Sequence, residues 1–273
     1  MKRAIKAQKI VVKVGTSSLV LPDGKMNVAS IEKLSKVLCD LKQVGKQVVL
    51  VSSGAIGVGM GKLKLKQRPK SIAEQQAVAA VGQGELIGFY EREFAKYGSS
   101  VAQLLLTRDV LSYPQSKHNV YNAFAELLKL NVIPVVNEND TVSVDELDHK
   151  TKFGDNDQLS AIVAKIVDAD LLIMLSDIDG FYDDNPNKNP NAKLISKITH
   201  INHDVLELAG GKGSKFGTGG MLTKLKAAKK ILANHQQMVL ANGENPQIIQ
   251  EIINGQEVGT WFTNENKRKV VDL

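Results

Sequence analysis

Six short runs in this chain are almost wholly apolar, and stretches with helical spacing separate most of them. The runs are Lys9 to Val14, Gln47 to Val51, Val101 to Leu106, Val132 to Val136, Leu171 to Leu175 and Gln237 to Leu240. The spacing predicts helices over Ile31 to Val44, about 114–130, Asn156 to Val167, 219–234 and Pro246 to Ile253. A further long helix is expected over 71–97, interrupted near Gly82 and Gly84. A strand that is apolar on both faces must be covered on both faces. The pattern therefore predicts an α/β protein, a three-layer αβα sandwich with a mainly parallel central sheet.

What ends the strands is as informative as what fills them. Four of the runs lead into small or polar residues: Gly15-Thr16-Ser17-Ser18, Ser52-Ser53-Gly54-Ala55, Asn137-Glu138-Asn139-Asp140 and Ser176-Asp177. Ligands of open parallel sheets sit beyond the carboxyl ends of the strands. One such end means little; four together predict a site there.

A fifth segment points to phosphate. Gly217-Thr218-Gly219-Gly220-Met221-Leu222-Thr223-Lys224 runs from a glycine loop into a helix over Leu222 to Asn234. A helix start exposes unpaired N–H groups and carries partial positive charge. Glycine lets an anion approach that backbone, and Lys224 adds a full charge one turn in. A flexible loop before a basic surface helix is the plainer alternative.

Other phosphate devices are excluded by their own residues. The Gly-Lys pairs are followed by Met26, Gln47, Leu63 and Gly213, never by Ser or Thr, so no Walker loop is present. Gly57-Val58-Gly59-Met60-Gly61 lacks the glycine spacing of a dinucleotide fingerprint and follows the second strand. His200 and His203 have no third ligand nearby, and Asp177-Ile178-Asp179-Gly180 places its glycine too early for a calcium loop. No dedicated protein metal site is expected. A magnesium ion held mainly by nucleotide phosphates needs none.

Composition narrows the class. The net charge of +6 comes from dispersed lysines, and aromatics are 5%, so a stacking platform for nucleic acid is absent. No apolar run is long enough to span a bilayer, no signal-like segment opens the chain, and Cys39 is the one cysteine. A cytoplasmic enzyme handling phosphate and carboxylate, with no nucleic-acid or membrane partner, is the expectation.

Two polar residues stand out. Lys13 sits in an otherwise apolar strand just before Gly15, which is costly unless its ammonium meets an anion. The alternative is an edge-strand lysine reaching solvent. Asp155-Asn156-Asp157 opens a helix, where simple N-capping explains one carboxylate. A second acid beside two lysines would keep them charged and oriented.

The segments VVKVGTSS, VSSGAIGVG, AAVGQGELI, VVNENDTVSV, FGDNDQLSA, SDIDGFY and GTGGMLTK occur here in the order found in glutamate 5-kinases, members of the amino acid kinase family. The resemblance runs from about Lys9 to Phe262. It implies the amino acid kinase fold and phosphorylation of the L-glutamate side-chain carboxylate by ATP, with Mg2+, the first step of proline synthesis. Carried over by motif, Lys13 and Lys224 would stabilise the transferring phosphoryl group and Asp157 would orient both. Gly15 and Gly54 would lend N–H groups. Ser53, Asp140 and Asn156, supported by Asn137, match the glutamate contacts. Ser176, Asp177 and Thr218, Gly219, Gly220, Met221, Leu222, Thr223 and Lys224 match the nucleotide site.

The resemblance further implies a single kinase domain over residues 1–273. Its glutamate-binding part would run to about residue 166, its nucleotide-binding part over 167–263, and a short tail over 264–273. It implies a homo-oligomer, dimer or tetramer, and admits proline as a feedback inhibitor and a transient contact with the next pathway enzyme. Three departures accompany it. A form without the PUA-type domain that many members carry after the kinase domain is expected. Asn185-Pro186 stands where Asp-Pro is expected, and Val144–Lys152 is longer than in some relatives. Two rivals stay open: a kinase acting on aspartate, N-acetylglutamate or UMP, and a non-catalytic amino-acid sensor. Asp140 argues for a free amino group on the ligand, and the two lysines argue for transfer chemistry.

Overall fold

A computed structural model describes residues 2–107, 112–142, 156–210 and 220–264. The strands are β1 (Lys9–Lys13), β2 (Gln47–Val51), β3 (Val101–Leu106), β4 (Ile133–Glu138), β5 (Leu171–Ser176), β6 (Lys197–Ile198), β7 (Gln237–Asn242) and β8 (Thr260–Phe262). The helices are α1 (Thr16–Leu19), α2 (Val28–Gln43), α3 (Ala55–Lys62), α4 (Ile72–Ala95), α5 (Pro114–Lys129), α6 (Asn156–Ile166), α7 (His203–Gly210), α8 (Gly220–Ala233) and α9 (Ile248–Ile253). The strands form one eight-stranded sheet in the order β3-β4-β2-β1-β5-β7-β8-β6. Every pairing is parallel except β7 with β8.

Alternation along the buried strands sends successive side chains to opposite faces, and each face has its own core. Ile10, Val12, Leu50 and Ile173 pack on one face with Leu34 and Leu38 of α2, Tyr90 and Phe94 of α4, and Ile249 of α9. Val11, Val49, Leu172 and Met174 pack on the other with Leu159 and Val163 of α6, Leu225 of α8, and Phe124 of α5. Burial of each such aliphatic or aromatic side chain is worth about 1.5–3 kcal/mol, so both helical layers are held by the strands they cover. The expected three-layer sandwich is the one observed.

Lys13 is not on an edge. It pairs with Val51 of β2 on one side and Met174 of β5 on the other, in the middle of the sheet, and is 5% exposed. The solvent-reaching alternative is thereby removed, and its ammonium must be answered inside the protein.

The interruption expected near Gly82 and Gly84 is absent. The helix runs unbroken over Ile72–Ala95, with a capping box in which Ser71 and Glu74 satisfy each other's backbone N–H. Gly82 serves contact, not a break: a Cβ there would lie 1.8 Å from the Ala55 carbonyl oxygen. Gly59 plays the same part from α3: a Cβ there would run into the Val78 carbonyl. Gly59 and Gly82 thus let α3 and α4 touch backbone to backbone, around a small cluster of Ala55, Ile56, Val78 and Ala79. Nothing lies within 4 Å of a Cβ at Gly84, and the structure gives no reason for it.

The short elements α1, α3, α7, β6 and β8 were not evident from periodicity, being too brief or too glycine-rich to show it. The Asn185 turn is kept despite its departure from Asp. Asn185 Oδ1 accepts from the Asn187 N–H at 2.9 Å, and its carbonyl accepts from Asn189 at 2.8 Å. The segment 144–152 and residues 265–273 of the tail lie outside the described residues. No helix among the described residues is long and apolar enough to cross a membrane.

Candidate active site

Sheet topology brings the polar strand ends to one edge. The helices α1 and α3 begin directly beyond β1 and β2, with Gly15 and Gly54 as their N-caps. Gly54 has φ +92°, a left-handed conformation that favours glycine and turns the chain sharply from β2 into α3. The start of α6 meets that edge through Asp157, and the start of α8 meets α6 through Thr223 and Lys224. Helix N-termini from separate parts of the chain therefore point at one place, each with partial positive charge.

At its centre lies one carboxylate shared by two lysines. Lys13 Nζ is 2.7 Å from Asp157 Oδ1, and Lys224 Nζ is 3.1 Å from Asp157 Oδ2. Exposures of 5%, 0% and 8% for Lys13, Asp157 and Lys224 put this group inside the protein. Thr223 Oγ1 also donates to Asp157 Oδ2, at 2.9 Å. Gln158 Nε2 donates to the Thr223 carbonyl at 2.7 Å and ties the first turn of α8 to α6. Gln158 is a part of the site that sequence reasoning missed, because a glutamine on a helix carries no pattern of its own.

The charges within this group do not cancel. Two ammonium groups against one carboxylate leave one net positive charge among these three side chains. Burying such a charge is costly unless an anion completes it. The adjoining backbone at Gly220 is open, with nothing within 4 Å of a Cβ there, and a Cβ at Gly15 would be in contact with Lys13 Nζ at 3.8 Å.

A second polar group adjoins the first. Asn156, next to Asp157 in α6, donates from Nδ2 to Ser53 Oγ at 2.8 Å and to Asn137 Oδ1 at 3.1 Å. Asn137 Nδ2 donates to Gln83 Oε1 of α4 at 2.9 Å. Ser52 Oγ lies 2.9 Å from the Tyr90 hydroxyl, whose burial raises its pKa well above the usual phenol range and keeps it neutral. Asp140, two residues past β4, is 8% exposed. Gln83, like Gln158, was not singled out from the sequence.

The remaining expected residues distribute as follows. Ser176 closes β5 and donates to Asp177 Oδ1 at 3.0 Å. Its carbonyl accepts from the Gly243 N–H at 2.7 Å. Gly243 lies close against Leu175, so the β5 and β7 ends share one floor. Met221 packs on the second core, whereas Leu222 is exposed. Thr218 and Gly219 lie outside the described residues, as does Asp155.

Comparison with known proteins fits this geometry. Residues 8–242 match the model of the amino acid kinase family. A glutamate 5-kinase of Enterococcus faecalis is 61% identical over 256 residues, covering 94% of each chain. One from Lactiplantibacillus plantarum is 60% identical over 260 residues, covering 95% of this chain and 98% of its own. Among solved structures, an isopentenyl phosphate kinase of T. acidophilum superposes with TM-score 0.62 at 17% identity, over 93% of this chain and 99% of its own. UMP kinase from Bacillus anthracis does so with TM-score 0.63 at 14% identity, over 95% and 97%. At those identities the two structures speak for the fold alone.

Proposed function

This chain belongs to the amino acid kinase family, and we propose that its site performs the reaction of a glutamate 5-kinase. ATP donates its γ-phosphoryl group to the side-chain carboxylate of L-glutamate, giving L-glutamyl 5-phosphate and ADP, the entry to proline synthesis. The observation that carries the site assignment is the carboxylate of Asp157 held between Lys13 and Lys224.

Phosphoryl transfer asks a protein chiefly for positioning and charge. The attacking carboxylate is already ionised and needs no general base. Charge builds on the equatorial and leaving oxygens, and preformed cations in a dry site stabilise it without reorganising. Lys13, at the end of β1, meets the phosphoryl group from the glutamate side, and Lys224, on α8, from the nucleotide side. Asp157 holds both ammonium groups apart and aimed. Gly15 and Gly54 offer backbone N–H groups, and the first turn of α8 from Gly220 to Lys224 cradles the nucleotide phosphates with Ser176 and Asp177.

Ser53, Asn137, Asp140 and Asn156 line the glutamate end. In this reading β1 to β4 carry glutamate, the later strands carry nucleotide, and the division near residue 166 falls at the end of α6. Mg2+ is carried by the ATP phosphates and screens their charge. Among the described residues no group of three or more acidic, His or Cys side chains is spaced to hold a metal, and Asp157 is engaged by two lysines. The resemblance alone supports a dimer or tetramer, a cytoplasmic location, proline as feedback inhibitor and hand-over of the labile product to the next enzyme.

The assignment is tested by offering the protein MgATP with glutamate, aspartate, N-acetylglutamate or UMP and trapping acyl phosphate with hydroxylamine. Hydroxamate is expected from glutamate. Hydroxamate from aspartate or N-acetylglutamate alone, or ADP formed only with UMP, would overturn it. Asp140 gives a sharper check of the amino-acid end, because a carboxylate there rewards a free ammonium. Asp140→Ala is expected to raise KM for glutamate about tenfold or more with a smaller effect on kcat. An unchanged KM would contradict the role.

A further inference from the structure

Gln83 lies within α4, not on a strand, yet its side chain reaches Asn137 at the end of β4, in the glutamate end of the site. The backbone N–H of Glu138 can only donate, so the Asn137 atom 2.9 Å from it is the amide oxygen. The other terminal atom of Asn137 is then its NH2, and that group donates to Gln83 Oε1. The Asn156 atom 3.1 Å from Asn137 Oδ1 is in turn its NH2, which also donates to Ser53. Asn137 is held by the Glu138 N–H at its oxygen and by Gln83 at its NH2, and Asn156 is oriented in turn by Asn137.

The row ends on an unused acceptor. The side-chain oxygen of Asn156 is buried and accepts no hydrogen bond among the described residues, in a residue only 7% exposed. Such an oxygen calls for a donor. Within the proposed glutamate site, the substrate supplies one donor group, its ammonium.

We propose that Gln83 is a positioning residue for the substrate ammonium, acting through Asn137 to aim the Asn156 carbonyl oxygen. This rests on the glutamate reading of the site. Asn137 is 2% exposed, so without an acceptor at position 83 its NH2 is left buried and unsatisfied, and only the Glu138 N–H and the Asn156 NH2 remain to hold the amide. The close α3–α4 contact at Gly82 holds the neighbouring Gln83 within reach.

Gln83→Met keeps the side chain's length and removes the strong acceptor; Gln83→Glu keeps an acceptor in the same place. Steady-state kinetics with glutamate are compared with competitive inhibition by glutarate, which has both carboxylates and no ammonium. The wild type is expected to prefer glutamate. Gln83→Met should raise KM for glutamate about tenfold, with kcat and the ATP KM within about twofold and the glutarate Ki unchanged. Gln83→Glu should restore most of the glutamate affinity. If Gln83→Met does not fold, Gln83→Ala carries the same expectation. Equal weakening of glutamate and glutarate would show a merely structural role and overturn the proposal. So would a Met variant that discriminates as the wild type does, leaving the glutamate reading intact. A wild type that binds both alike would overturn the ammonium reading itself.

Discussion

Lys224→Ala is expected to lower kcat by about a hundredfold or more while moving the glutamate KM only a few-fold. The reason is where the ammonium sits. It rests 3.1 Å from Asp157, buried, at the head of α8, and spends the ground state on a carboxylate that Lys13 also holds. In the proposed reaction the site needs its full positive field only when charge shifts onto the departing ADP oxygens, so the loss is expected to fall on the transition state. Lys13→Ala should give a drop of similar order from the glutamate side. Lys224→Arg should not restore turnover, because a planar guanidinium cannot take the place of a compact ammonium beside Asp157. Thermal melts separate this from unfolding: the alanine variant should melt near the wild type while turnover collapses. Near-normal turnover in Lys224→Ala would mean that the lysine has been misassigned.

The two lysines were legible in the sequence because each broke a local rule. Lys13 interrupts a buried strand, and Lys224 follows a glycine-rich helix start. Asp157 was legible as an acid beyond what a cap requires. Their meeting was legible only through the family resemblance, because spacing alone does not place β1, α6 and α8 together; the fold does. Polar residues inside ordinary-looking helices carried no signal at all. Gln83 and Gln158 look like surface glutamines until their partners Asn137 and Thr223 are in place. Arg3 shows the same blindness at the start of the chain. Among dispersed basic residues it looks like solvent-facing charge, yet it is 7% exposed and donates to the carbonyls of Val258, Ser196 and Gly259. Those contacts hold the first residues against β6 and β8, elements of two and three residues whose apolar content is too short for any period to register.

The sharpest test of the packing concerns two glycines in α4 that look alike in sequence and should respond with opposite sign. A methyl group at Gly82 would sit 1.8 Å from the Ala55 carbonyl oxygen and 2.4 Å from the Gly59 nitrogen, both backbone atoms that cannot rotate away. Gly82→Ala must therefore push α4 off α3. Overpacking of this kind costs about 1–3 kcal/mol and more where backbone meets backbone. Alanine's better helix propensity returns only about 1 kcal/mol. With the clash at the upper end of that range the expected net loss is about 2 kcal/mol, a fall in Tm of about 4–8 °C. Gly84→Ala meets nothing within 4 Å, so propensity acts alone and stability should rise by about 0.4–1 kcal/mol. Denaturant midpoints of the two variants decide the matter. If both rise, the α3–α4 contact is looser than described; if both fall, helix propensity does not govern position 84. The displacement in Gly82→Ala also carries a consequence for the site, because Gln83 moves with the helix. The glutamate KM should therefore rise in the folded Gly82→Ala protein and stay unchanged in Gly84→Ala, linking a methyl group between two helices to the aim of an amide beside the substrate.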